Sequence, residues 1–144
     1  MIAVHVGVGV LVLGLSLAAG ALGGLSWYRQ RPSVPFWYLL RAAQAAVVLQ
    51  SMVGMLLVFS GREAVSDLHY VYGILPLAVS LLAEGIRAGA AQQELGDLDF
   101  ESLSPDRQRT VALTIVRREM GVMAMSCIVI FFLALRAAEV SPLI

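Results

Sequence analysis

"HVGVGVLVLGLSLAAGAL", residues 5 to 22, holds one histidine and no Asp, Glu, Lys or Arg. With its flanks it makes an apolar run from about 2 to 26. That is long enough as a helix to cross a hydrocarbon layer of roughly 30 Å, which takes about 20 residues. The whole chain has the same character: 59% of its 144 residues are hydrophobic and only 14% are charged, which is not the balance of a soluble domain. Three further apolar stretches, at about 35–60, 66–87 and 119–138, are of spanning length. The fold class expected is an all-α integral membrane protein. The small residues of "AAGA" imitate a signal-peptide cleavage site, but no positive residue precedes the run and its basic flank, Arg29 and Arg31, lies at the far end. The first helix is therefore expected to be retained.

Every basic side chain is an arginine, so orientation is read from arginine alone. Arg29, Arg31, Arg41, Arg87, Arg107, Arg109, Arg117 and Arg118 fall in or beside the first and third connections, against Arg62 and Arg136 on the other side. The positive-inside rule then makes segments 27–34 and 88–104 cytoplasmic and puts both termini outside, in what is expected to be a bacterial plasma membrane. A net charge of zero gives no basic face for a nucleic acid, so none is expected as a partner.

The connections "YRQRPSVPF" (28–36) and "SGREAVSD" (60–67) are short, which makes the helices they join antiparallel neighbours. Ser66 or Asp67 is expected to cap the third helix. In "SPDRQRTVALTIVRRE" (104–119), Ser104 reads as an N-cap, Pro105 as a first-turn residue and Asp106 as a dipole partner, so the fourth helix starts near 105 and enters the membrane near 119. The preceding "QQELGDLDFESL" (92–103) reads as a solvated linker. The expected architecture is a single domain, 1–144: a four-helix up-down antiparallel bundle, with helices one and three diagonally opposite.

Only two histidines occur, His5 and His69, each about one turn into an odd-numbered helix and each four residues before a glycine, Gly9 or Gly73. Both are then expected at one depth, facing each other across the bundle. An ionisable residue inside a span is a functional candidate by default. Two opposed imidazoles suit the axial positions of a haem iron, and the glycines one turn on would let a flat macrocycle approach the backbone. The cofactor expected is haem b, with iron ligated by His5 and His69. Arg62 and Arg136 are candidates for pairing with its propionates, and Tyr70 and Tyr72 for its edge. Glycine is also common in membrane helices simply because it lets them pack closely. Cys127 is alone, so no internal disulfide is possible, and its mid-helix position reads as core.

"LQSMVGMLLVFSGREAVSDLHYVYG" (49–73), with a glutamine and glycine on one span, a short loop and a histidine early on the next, resembles the heme A synthase family. "HVGVGVLVLGLSLAAGAL" resembles the histidine-bearing span before it. The resemblance covers about two thirds of the chain and one four-helix half of that family's architecture. It implies that His5 and His69 are haem ligands and that Gln50 and Gly54 lie beside the macrocycle. Three features depart from the family's pattern: Ile2 stands where an acid precedes the first histidine, Val6 where an arginine follows it, and the outer-loop cysteine pair is absent. Haem binding with electron transfer, to a membrane redox partner, is therefore expected over a complete synthase activity. The alternatives are a half-size haem-modifying enzyme acting as a homodimer, and an accessory subunit of a larger membrane complex without haem.

Overall fold

The computed structural model describes residues 1–140. It consists of four long helices, α1 (Ile2–Tyr28), α2 (Val34–Phe59), α3 (Asp67–Leu95) and α4 (Pro105–Val140), with one short 3-10 turn at Phe100–Ser102. All four are long and apolar enough to cross a membrane, and no strand occurs among the described residues.

The ends of the helices follow from local chemistry. Ser33 caps α2 by accepting from the Phe36 N–H at 3.3 Å, and Ser66 caps α3 by accepting from the Leu68 N–H at 3.3 Å, so serine and not Asp67 does the capping. Pro105 opens α4 at the position where a missing N–H costs nothing. Helices α1 and α2 end in the same turn. The Arg31 N–H reaches the Ser26 carbonyl (3.0 Å) and the Gln30 N–H the Trp27 carbonyl (3.1 Å). The Arg62 N–H reaches Leu57 (3.1 Å) and the Gly61 N–H reaches Val58 (2.9 Å). This is the Schellman closure, which needs a left-handed residue: Gly61 (φ 76°) in one case, Gln30 (φ 55°) in the other.

Helix α1 packs along α2 and α4, and α3 packs along α4, whereas α2 and α3 touch only sparsely. Small residues permit the close approaches. A Cβ at Gly20 would lie 2.5 Å from the Ile128 Cδ1, and one at Gly23 would lie 2.4 Å from the Phe36 ring. The buried face of α3 is Pro76, Ser80, Ala83 and Ala90, which lets α4 lie close against it. Buried side chains form two clusters, one around Phe36, Leu40, Met120, Met123 and Cys127, the other around Val12, Val47 and Ile130. Cys127 is a core residue, as its position in the sequence led us to expect.

One boundary differs from expectation. Residues 88–95, expected as the start of a cytoplasmic connection, continue α3 to Leu95, and the chain turns at Gly96 (φ 48°). The segment is rich in alanine and glutamine, which favour helix. Arg118 of α4 also holds it, with its guanidinium donating to the Glu94 carboxylate at 2.8 Å and to the Gln93 carbonyl oxygen at 3.3 Å.

Candidate functional site

His5 and His69 do come together. Their ring centres are 5.9 Å apart and their planes make an angle of 57°. Both side chains are partly buried, at the end of the bundle where α1 and α3 begin.

Different neighbours hold the two rings. The Nδ1–H of His69 donates to the Ala137 carbonyl at 2.9 Å. Ala137 lies near the end of the described part of α4. The bond assigns the proton to Nδ1 and leaves Nε2 with a free lone pair, which is how a ligating histidine is usually oriented.

His5 is held by α2. The Gln50 amide Nε2 lies 3.2 Å from His5 Nε2, and α1 and α2 trade side chains across glycines: a Cβ at Gly9 would lie 3.3 Å from Gln50 Nε2, and one at Gly54 would lie 3.2 Å from His5 Cε1. Histidine and its i+4 glycine on α1 therefore interlock with glutamine and its i+4 glycine on the antiparallel α2. The face of Gly9 is taken by Gln50, whereas Gly73, the counterpart on α3, has nothing within 4 Å of where its Cβ would be. Of the two glycines expected beside a flat ligand, Gly73 alone is open.

The His5–Gln50 contact is incomplete. His5 Nδ1 and Gln50 Oε1 are both buried without a hydrogen-bond partner. Rotating the amide would let Oε1 accept from Nε2–H, but then Nδ1 would present a bare lone pair and the amide N–H2 would lose its acceptor. In either arrangement one imidazole nitrogen of His5 is left unpaired inside the protein. A buried polar atom without a partner costs about 1–3 kcal/mol, and such atoms are few in native structures. A group bound at His5 removes that cost.

What such a group can be follows from the donors. Among the described residues no cluster of three or more His, Cys, Asp or Glu is placed to hold a metal ion. Two imidazoles are too few for a bare structural zinc, which takes four ligands, but they suffice for a metal whose other positions are filled by a macrocycle.

Comparison of the chain with protein-family models, curated proteins and solved structures finds no match.

Of the other candidates, Tyr70 lies edge-on to His69, with ring centres 6.4 Å apart, and its hydroxyl accepts from the Ala64 N–H at 2.8 Å. Arg136, next to Ala137, pairs with Glu139 at 2.8 Å and both are about half exposed. Arg62 follows the turn that closes α2 and is exposed, with no ion pair among the described residues.

A second polar group, toward the other end, escaped the sequence reading. The Glu84 carboxylate on α3 accepts from Arg41 and from the Gln44 amide (2.8 Å) on α2, and from Arg87 Nε (2.8 Å); Arg87 also lies 3.5 Å from Glu119 on α4. Two arginines and two glutamates balance in charge. They tie α2 to α3 where packing does little. The signal was present in the sequence, as ionisable residues of opposite sign inside two apolar stretches.

Proposed function

We propose that this chain is a small membrane cytochrome that holds haem b between His5 and His69 and passes single electrons. The observation that carries the reading is the histidine pair itself: two rings with centres 5.9 Å apart, one with its Nδ1 held by a backbone carbonyl, the other with a nitrogen buried and unpaired. If bound there, haem would be held by His5 and His69 and would supply one-electron chemistry.

The protein's part is orientation. Ala137 holds the His69 ring through Nδ1. Gln50 and Gly54 hold His5, and His5 binds through Nε2 if Gln50 lets go of it, or through Nδ1 if Gln50 keeps it. Gly73 keeps the α3 side clear. Arg62 and Arg136 are the cations of that end and suit the propionates. Four helices of spanning length and apolarity support a site within a bilayer, the arginine distribution favours both termini on the outer side, and the proposed electron exchange is with a membrane redox partner.

The test is the absorption spectrum of the protein purified in mild detergent, oxidised and then reduced with dithionite, for wild type, His5→Ala and His69→Ala. Sharp reduced bands in the wild type, lost in both variants, are expected. A wild-type protein that stays colourless after expression with ample haem would sink the proposal.

A further inference from the structure

At the end of the bundle away from the histidines, a pocket of about 250 Å³ lies between the α1–α2 turn and α4. It is lined by Gln30, Pro32, Thr110, Leu113, Thr114 and Arg117, among others. Both tryptophans of the chain are at this level, Trp27 at the end of α1 and Trp37 at the start of α2, with Tyr28 and Tyr38 beside them. Aromatic side chains of this kind collect where a bilayer meets water. The pocket is therefore at headgroup height.

Two of its lining residues, Arg117 and Gln30, are exposed and carry hydrogen-bond donors. Arg117 lies with its guanidinium carbon 5.9 Å from the centre of the Trp27 ring, a cation–π seat that fixes the group without neutralising it. It makes no ion pair among the described residues, whereas its neighbour Arg118 is bound to Glu94. Gln30 occupies the left-handed position of a Schellman turn, where an L side chain is disfavoured and glycine is the usual residue. The same turn at the end of α2 does use glycine, Gly61. A glutamine retained against its backbone preference, with its side chain lining a pocket, points to a task for that side chain.

We propose that this pocket binds the phosphate of an anionic phospholipid headgroup. The donors are the Arg117 guanidinium and the Gln30 amide. The Thr110 and Thr114 hydroxyls already donate to carbonyls one turn earlier, at 2.9 and 3.0 Å, and form the wall. Arg29 and Arg31 flank Gln30 in the turn and set the preference for a lipid with net negative charge. Planar guanidinium matches phosphate geometry, and the hydrogen bonds are charge-assisted. The proposal rests on the reading of the four helices as membrane spans and is independent of the histidine pair.

The experiment is native mass spectrometry of the full chain in mild detergent, titrated with phosphatidylglycerol or phosphatidylcholine. Wild type is compared with Arg117→Gln, Gln30→Gly and Arg109→Gln, which makes the same charge change outside the pocket lining. The expected result is a preference for phosphatidylglycerol that falls roughly tenfold in Arg117→Gln and Gln30→Gly and is kept in Arg109→Gln. Gln30→Gly should melt no lower than wild type, since glycine suits the turn, so its lost binding would not be lost folding. Equal binding of the two lipids, an equal loss in Arg109→Gln, or an unchanged Gln30→Gly would overturn the proposal. Displacement by inorganic phosphate alone, at matched concentration, would overturn the lipid assignment. Extraction of the protein from membranes by alkaline carbonate would instead refute the spanning reading beneath it.

Discussion

Gly23 and Gly24 are adjacent in α1, and replacing each with alanine should move stability in opposite directions. At Gly23 the new Cβ would lie 2.4 and 2.7 Å from two carbons of the Phe36 ring and 2.9 Å from the Ala124 Cβ. None of these can step aside: Phe36 is 0% exposed and Ala124 is carried by the α4 backbone. Relief requires α1 to move away from α2 and α4 by the better part of an ångström, and overpacking of this kind costs about 1–3 kcal/mol. Alanine returns up to about 1 kcal/mol of helix propensity over glycine. With the full propensity gain set against it, the net for Gly23→Ala is a loss of up to about 2 kcal/mol. At Gly24 nothing lies within 4 Å of the new Cβ, so only the propensity gain remains and the variant should match or exceed wild type. Thermal unfolding in one detergent, followed by helical circular dichroism, reads the difference. Gly23→Ala melting at or above Gly24→Ala would refute the packing of α1 against Phe36 and α4. It would also undo the register that brings His5 to Gln50.

At the histidine site, Gly54→Val should push the His5 ring off Gln50 and Gly73→Ala should crowd the face left clear for the macrocycle, both lowering haem content, whereas Gly14→Ala, facing open space, should keep it; pigment per protein decides. Glu84→Gln leaves Arg41 and Arg87 without their shared carboxylate and should cost about 1–3 kcal/mol in a detergent-denaturation titration, while Arg136→Gln, an exposed pair, should leave the midpoint unchanged. Cys127, 1% exposed, should resist maleimide in the folded protein and react once it is unfolded; rapid labelling of the native state would mean that the core is open there.

The four helices were legible because hydropathy and length carry that signal by themselves, and Ser66 and Pro105 mark helix starts in the sequence as they do in the structure. The end of α3 was not legible. Gly89 and the polar run that follows make residues 88–95 read as a departing connection, and only Arg118 of α4, bound to Gln93 and Glu94, shows why the helix continues. The histidine pair was readable from matching depth on alternate helices. The exchange of His5 and Gln50 over Gly54 and Gly9 was not, since it depends on the register of two antiparallel helices, and neither glycine by itself says which neighbour fills its face.

The partner of His69 has a consequence for anyone who probes this protein by mutation. Its acceptor is a main-chain oxygen, so exchanging the side chain at Ala137 leaves the bond in place, and a scan of side chains would pass over the group that aims the ring. What controls the aim is the α4 backbone at Ala137. Unwinding or displacing that turn would disorient His69 without altering a single side chain that touches it.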